Sequence, residues 1–271
     1  MNIGICIPHK EDMAERFRIA VENGFHHCQL TSWNPALWTK EEAEKLKSLC
    51  QQYDMTITAF WCGWVRPRVW DFYQGQETLG LVPPAFRYVR MQNLMDGADF
   101  ALSIGVTDVV SHMGYIPENP YDPNFPALVA ALKAVSKHLA ANGQNLLFES
   151  GQETPVTMLR CFEEIGTSNL YVNLDTANLI LYGKANPVDA LDVIGTRIRG
   201  VHAKDGFYPT AGHHLGKEVK VGTGKVDFPA FIARLKELGY DGSLTIEREI
   251  SGEQQLKDIL ETKAYLEKLI G

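Results

Sequence analysis

The sequence predicts an α/β protein folded as a single (β/α)8 barrel. Three observations support this prediction: short apolar runs alternate with helix-length amphipathic segments, eight such pairs follow one another, and no linker-like stretch interrupts them. Eight βα units within 271 residues fit a closed barrel, which commonly reaches this length as one domain. We therefore expect one domain over residues 1–271.

A doubly wound open sheet is the alternative arrangement of alternating strands and helices. That fold normally carries a glycine-rich phosphate-binding turn directly after its first strand. Here the first strand runs into Ile7-Pro8-His9-Lys10, which has no glycine and cannot form such a turn. The barrel is therefore the better prediction.

The first four βα units are read from apolar runs and their stop signals. Predicted strands cover residues 3–8, 27–30, 56–61 and 108–112, and the helices that follow cover 13–23, 39–53, 84–105 and a segment ending at 142–143. Thr39 and Glu42 have the spacing of a capping box at the start of the second helix. The segment 62–84 is long for a loop inside a compact domain, which indicates a functional loop.

The last four units show a recurring feature, because each apolar run ends on a potential metal ligand. The runs end on Glu149, Asp175, His202 and Glu247. Helices are predicted from Thr154-Pro155 to Gly166, over residues 186–195, from Asp227 to Gly239 and over 252–269, with a long loop over 203–226. In a (β/α)8 barrel these strand ends face one shared mouth, where active sites lie.

Composition narrows the range of functions. The formal net charge is −7, so no basic field favours nucleic acid. No apolar run approaches the ~18 residues of a membrane helix, and the first residues do not resemble a secretory signal. Five cysteines without a C-x-x-C pair indicate reduced thiols. We expect a cytoplasmic protein that binds neither membrane nor nucleic acid.

The four strand-end residues predict a site for a divalent cation. Three carboxylates in a partly dry pocket would repel one another strongly, and one cation compensates all of them. Carboxylates with one imidazole suit Mn²⁺, Mg²⁺, Co²⁺ or Fe²⁺. The competing interpretation is that each residue forms a buried structural ion pair.

Further polar and aromatic residues near the strand ends are candidates for substrate binding. Each also has a structural alternative, such as helix capping, an ion pair or aromatic packing. The candidates are His9, Trp61, His112, Gln152, Asn178 and Lys204. Gly222-Thr223-Gly224, with lysines nearby, predicts either a phosphate grip or a solvated turn.

Five motifs in order resemble the xylose isomerase-like TIM-barrel superfamily of sugar and sugar-phosphate isomerases and epimerases. They are Phe148-Glu149-Ser150, residues 173–178, residues 201–205, residues 221–228 and Thr245-Ile246-Glu247. The resemblance implies one divalent metal ion, usually Mn²⁺ with Mg²⁺, Co²⁺, Fe²⁺ or Zn²⁺ as alternatives, held by Glu149, Asp175, His202 and Glu247. It also implies acid/base roles for Glu149 and Glu247, a carbohydrate substrate, and allows a homo-oligomer.

The sequence departs from the ketose 3-epimerase branch of that superfamily at two places. Asn178 stands where the branch usually has a histidine, three residues after the ligand aspartate. The loop after His202 carries lysines and histidines but lacks the arginine that the branch uses. The substrate therefore cannot be assigned from the motifs.

The chemistry that fits this residue set is proton transfer beside a carbonyl. One glutamate removes the proton, giving an enediolate stabilised by the metal, and the proton returns to give an epimer or an isomer. A 3-keto-glycoside lyase or hydratase would share the first step. An endonuclease IV-like phosphodiesterase needs three metals and a histidine-rich set, which this acidic chain does not supply. A metal-free binding protein is a further alternative.

Overall fold

Eight parallel strands close into a barrel in the computed structural model, which describes all of residues 1–271. Neighbours in the barrel follow sequence order, and the last barrel strand pairs with the first. The barrel strands are β1 (Asn2–Pro8), β2 (His27–Ser32), β3 (Thr56–Cys62), β4 (Asp108–Ser111), β5 (Asn145–Glu149), β6 (Leu170–Asp175), β7 (Ile198–Ala203) and β10 (Ser243–Ile246). The predicted (β/α)8 barrel is thus confirmed.

Ten helices accompany the strands, and eight of them form the outer ring of the barrel. These eight are α1 (Met13–Glu22), α2 (Lys40–Tyr53), α4 (Pro84–Ser103), α5 (Asn124–Ala141), α6 (Pro155–Ile165), α8 (Pro187–Ile194), α9 (Phe228–Glu237) and α10 (Glu253–Ile270). Two short helices, α3 (Gly75–Thr78) and α7 (Asn178–Leu181), lie in the connections. None of the helices is long and apolar enough to cross a membrane.

The helix boundaries follow from capping groups that the sequence already displays. The Thr39 side chain accepts a hydrogen bond from the Glu42 backbone N–H, and Thr154 caps α6 in the same way. Gly166 ends α6 in the left-handed conformation. The capping box predicted at α2 is only half formed, because the Glu42 carboxylate pairs with Lys45 instead.

Apolar side chains fill the space between the barrel and the helix ring in one large cluster of 55 buried residues. The long segment over residues 62–84 is also anchored, although it was predicted only as a loop. The guanidinium of Arg90 is buried and donates hydrogen bonds to the carbonyl oxygens of Gly80 and Pro67, at 2.7 and 2.6 Å. This buried arginine holds the segment against the barrel mouth.

The segment over residues 203–226, predicted as a loop, contains a small antiparallel hairpin. Its strands are β8 (Asp205–Phe207) and β9 (Lys217–Val219). Each of these strands has only three residues, which is too short to show the alternation of apolar residues by which strands are recognised in a sequence. The hairpin stands beside the barrel mouth and places Leu215 in the wall of the cavity described below.

Candidate metal centre and active site

Four potential ligands converge because they lie on four neighbouring strands. Glu149 and Asp175 are the last residues of β5 and β6, His202 lies near the end of β7, and Glu247 directly follows β10. One ligand atom from each lies within 4.8 Å of every other. The parallel strands thus deliver three carboxylates and one imidazole to one point at the barrel mouth.

The imidazole of His202 is oriented by a hydrogen bond on its far side. Its Nε2 lies 2.6 Å from Oε1 of Gln29, and the Gln29 amide nitrogen donates to Asn173 Oδ1 at 3.2 Å. Since Gln29 offers an acceptor, His202 carries its proton on Nε2 when neutral. Its Nδ1 lone pair then faces the carboxylates, which is the arrangement of a metal-ligating histidine.

The two oxygens of Asp175 have opposite surroundings. Oδ1 accepts hydrogen bonds from the backbone N–H groups of Ala177 and Asn178, at 2.9 and 2.8 Å. Oδ2 is buried and has no hydrogen-bond partner, since Lys204 Nζ at 3.6 Å and His202 Nδ1 at 3.8 Å lie beyond hydrogen-bonding distance. A buried carboxylate oxygen without a partner is costly. It points to a positive group that belongs in the cluster.

The pKa shifts in the cluster also indicate that it favours an added positive charge. Burial raises the pKa of Asp175 above its ordinary value. Burial by itself lowers the pKa of His202, but Glu149 and then Cys6 and Glu247 outweigh it and leave the value well above normal. The carboxylates therefore draw a proton onto the imidazole, and a divalent cation would take the place of that proton.

These observations together fit a divalent cation. The donor set contains three oxygens and one nitrogen, which suits Mn²⁺ or Mg²⁺. Glu149, Asp175, His202 and Glu247 are the residues that would hold it. A second group, Cys6 with His202 and Glu247, also lies within that distance but shares two of the same residues.

Lys204 is the one cation in the wall of the site, and its charge is already engaged. Its Nζ is buried and lies 2.9 Å from Glu249 Oε2, 3.2 Å from Glu247 Oε2 and 3.6 Å from Asp175 Oδ2. Because three carboxylates surround this one ammonium group, its positive charge is not available to bind an anionic substrate. Lys204 therefore balances the acidic cluster internally.

A cavity of about 280 Å³ opens above the cluster and contains most of the predicted substrate-binding residues. Trp61, His112, Asn178 and Lys204 line it, together with Glu149 and Glu247. The Trp61 indole N–H donates to Glu149 Oε2, and His112 Nε2 lies 3.5 Å from Glu149 Oε1. These contacts tie the cavity wall to the metal centre.

Two predicted substrate-binding residues do not line this cavity. His9 is buried, contacts the Ser32 hydroxyl at 3.0 Å through Nδ1 and stacks on Phe100. It therefore packs β1 against β2 and α4 instead of facing the site. Gln152 is also buried, and both atoms of its amide lack hydrogen-bond partners.

Several residues of the site were not found from the sequence. Gln29 lies in the middle of β2, and only its contact with His202 across the barrel reveals its role. Tyr182 and Glu249 line the cavity from two different connections. The sequence could have indicated Glu249 as a site residue, because it lies two residues after the candidate ligand Glu247.

The glycine-rich turn over residues 222–224 has a different role from the phosphate grip considered above. The backbone N–H groups of Gly222 and Gly224 donate to Asp205 Oδ2, at 3.0 and 2.8 Å. Those of Gly206 and Val226 donate to Asp205 Oδ1, at 2.8 and 3.1 Å. The anion held by this turn is thus the buried Asp205 itself, which contradicts the phosphate hypothesis.

The chain belongs to the family of xylose isomerase-like TIM barrels, which it matches over residues 17–269. This family is the one that the strand-end motifs resemble, so that prediction is confirmed. An uncharacterized protein of Methanocaldococcus jannaschii is 30% identical over 193 residues. That match covers 67% of this chain and 64% of the relative, so it spans less than two thirds of the relative's length.

Two solved structures show the same barrel. The xylose isomerase domain protein from Planctomyces limnophilus is 31% identical, with a TM-score of 0.93, and the match covers 98% of this chain and 96% of that one. A D-tagatose 3-epimerase-like protein is 21% identical, with a TM-score of 0.77 over 100% of this chain and 97% of that one. The second likeness is one of fold alone.

Proposed function

We propose that the protein is a divalent-metal-dependent isomerase or epimerase of an uncharged sugar or polyol ketone. Glu149, Asp175, His202 and Glu247 hold the metal, and Glu149 and Glu247 also move the proton. The observation that carries the proposal is the unpartnered Oδ2 of Asp175 inside a buried set of three carboxylates and one oriented imidazole. A bound divalent cation supplies Lewis acidity, which makes a C–H beside a carbonyl acidic.

The positions of the two glutamates on opposite sides of the cluster support their proposed roles in proton transfer. β5 and β10 are separated in the barrel by β6 and β7, so Glu149 and Glu247 flank Asp175 and His202. Both carboxylates also form part of the cavity wall. One glutamate can take a proton from one face of the substrate, and the other can return a proton to the opposite face.

Each glutamate has a partner that keeps it ionised and in place. Burial alone raises the pKa of Glu247, but Lys204 and then His202 hold it well below the ordinary value. Burial acts in the same sense on Glu149, where His112 and His202 outweigh it and lower the pKa. Both carboxylates are therefore ionised at neutral pH, which is the state in which a carboxylate can bind a cation or accept a proton.

The charge of the cavity supports an unphosphorylated substrate. Glu149, Glu247 and Glu249 line it, and the single cation Lys204 is engaged by carboxylates. The glycine-rich turn offers no free N–H groups, because Asp205 accepts them. A phosphate monoester, or the phosphodiester that an endonuclease would cleave, meets repulsion here.

Proteins with the same fold act on compatible substrates. They include D-psicose 3-epimerase, L-ribulose 3-epimerase and the 3-keto-D-glucoside 4-epimerase of E. coli, at 13%, 19% and 16% identity. A xylose isomerase-like barrel of Mycobacterium smegmatis, at 17% identity, is in complex with magnesium. At these identities the names support a class of chemistry and do not select a substrate or metal.

Elemental analysis combined with solvent deuterium incorporation tests the proposal. We expect about one Mn²⁺ per chain after loading, and deuterium entering beside the carbonyl of one member of a panel of ketoses, inososes and 3-keto-glycosides. Glu247→Gln should abolish exchange, and His202→Ala should also lose the metal. Glu163→Gln, an exposed carboxylate on α6, is the matched control and should behave as wild type.

Two results would reject the proposal. If the protein binds no divalent metal under any loading condition, the four residues do not form a metal site. If the protein binds metal but no compound of the panel incorporates deuterium, the proposed enolisation is rejected. Release of an aglycone from a 3-keto-glycoside, in place of an epimer or isomer, would identify the lyase alternative.

A further inference from the structure

The ring of helices around the barrel is packed least closely at one place, between α10 and α1. Every pair of consecutive helices in the ring packs together, from α1 with α2 to α9 with α10, whereas α10 and α1 make fewer contacts than any of these pairs. A cavity of about 430 Å³ lies in this gap, against β1 and β10. Protein interiors are close-packed, so an apolar opening of this size indicates a binding surface. We call it the seam groove.

The wall of the seam groove is mainly apolar. Ile5 and Ile7 of β1 and Ile246 of β10 form its floor, and Ile259 of α10 forms one side. Ile19 of α1 and Leu256 of α10 stand at its two edges, each 42% exposed. Facing aliphatic side chains on both edges favour an apolar occupant.

The charged residues of the groove are already paired. Arg248 contacts Glu218 at 2.8 Å and Asp258 at 2.9 Å, and Arg16 contacts Asp12 at 2.6 Å. Both arginines therefore have carboxylate partners within the chain. The groove offers no unpaired cation for an anionic ligand, so apolar contact is the interaction that it provides.

The seam groove and the catalytic cavity share part of their walls. Thr31, Glu247 and Glu249 line both of them. The Glu249 side chain is 60% exposed, so the rim between the two spaces is open to solvent. A substituent on a sugar bound above the metal centre can therefore pass over this rim into the groove.

We propose that the seam groove binds the apolar aglycone of a glycoside whose sugar ring occupies the catalytic cavity. This inference rests on the proposed function. Because the anomeric carbon of a glycoside is blocked, the carbonyl that the metal centre activates then lies on another carbon of the ring. The substrate class is thus an uncharged keto-glycoside with an aromatic or aliphatic aglycone, rather than a free ketose.

Calorimetric titration of the Mn²⁺-loaded protein with phenyl β-D-glucopyranoside, methyl β-D-glucopyranoside and phenol tests the assignment without turnover. We expect the phenyl glycoside to bind at least about ten times more tightly than the methyl glycoside. Leu256→Asp should remove most of that preference and leave the methyl glycoside unaffected. Leu260→Asp is the matched control, since Leu260 lies one turn further along α10, is 36% exposed and does not line the groove.

The alternative occupants give different results, and each would overturn the proposal. Equal binding of the two glycosides by wild type, or no binding of the phenyl glycoside at millimolar concentration, excludes an aglycone site. Phenol that binds in the groove without competing with the glycoside indicates an independent apolar site. A wild-type dimer that Leu256→Asp dissociates in sedimentation experiments indicates a subunit interface.

The two proposals can fail separately. The preference for the phenyl glycoside could depend on Leu256 while no ketone exchanges deuterium. That result would support the aglycone site and reject the enolisation chemistry. Deuterium exchange could occur only with free ketoses while Leu256→Asp leaves glycoside binding unchanged. That result would support the enolisation chemistry and reject the aglycone site. Circular dichroism and thermal unfolding of both aspartate variants confirm that they are folded.

Discussion

Asp175 and Asp205 are two fully buried aspartates near the same end of the barrel, yet their surroundings differ. Asp205 accepts four backbone hydrogen bonds, two on each oxygen. Asp175 accepts two on Oδ1, and its Oδ2 accepts no hydrogen bond and lies 3.6 Å from Lys204 Nζ. A buried carboxylate that the chain satisfies completely is a structural group, whereas one left half satisfied marks a place for a ligand.

Replacing Asp205 should have the largest effect on stability. Asp205→Asn retains one acceptor oxygen but turns an amide NH₂ toward backbone donors, so two buried N–H groups lose their acceptor. We expect the free energy of unfolding to fall by ~3–5 kcal/mol. Urea unfolding of the metal-free protein measures this loss. Asp192→Asn, at an exposed ion pair with Arg234, is the control and should change little.

Replacing Asp175 should affect metal binding more than stability. Asp175→Asn keeps Oδ1 as the acceptor for the N–H groups of Ala177 and Asn178. It removes the charge at Oδ2, so we expect Mn²⁺ affinity to fall by at least ~100-fold. The metal-free stability should fall by less than in Asp205→Asn, because both backbone hydrogen bonds remain and only the 3.6 Å contact with Lys204 Nζ loses its charge. A stability loss as large as that of Asp205→Asn would erase the distinction between the two aspartates.

Gln29 offers a finer test, because it acts on the metal centre only through His202. Gln29→Leu removes the acceptor for the His202 Nε2–H group, and we expect ~10–100-fold weaker Mn²⁺ binding. The comparison variant is Gln144→Leu, whose amide donates to two backbone carbonyls away from the site. That variant should lose stability but bind Mn²⁺ normally. Equal Mn²⁺ affinities in the two variants would argue against a role for Gln29 in orienting His202.

Glu153 extends the comparison to a third buried carboxyl group, and its effect appears in how stability depends on pH. Burial raises the pKa of Glu153 from 4.5 to about 8, so near neutral pH the folded chain holds a proton that the unfolded chain has lost. Stability must then fall as pH rises toward 8. Relative to Glu153→Gln, wild type should lose ~1 kcal/mol of unfolding free energy per pH unit near neutrality. Parallel pH profiles for both proteins would contradict the raised pKa.

Much of the fold could be read from local patterns. All eight barrel strands and the eight long helices begin and end within a few residues of their predicted positions, because apolar runs, Thr and Asp caps and Gly stops are properties of neighbouring residues. The four candidate ligands were found for the same reason. Once the chain is known to form a barrel, the strand ends share one mouth.

The contacts that were missed join residues far apart in sequence. Gln29 meets His202 across the barrel, and Asp205 meets the turn at Gly222 and Gly224 after a hairpin intervenes. His9 shows the opposite case, since it stands at a strand end but its ring packs on Ser32 and Phe100 and does not line the catalytic cavity. A strand end indicates the mouth, but the direction of the side chain depends on the register.

The sequence alone determined the fold class, the order of the elements and the four residues that a divalent cation would require, because periodicity and strand-end position are local and repeat along the chain. Only the tertiary structure decided which buried carboxylates are satisfied, how His202 is turned, and that a groove lies between α1 and α10. Those properties depend on which distant groups come within hydrogen-bonding or packing distance, and no local pattern records that.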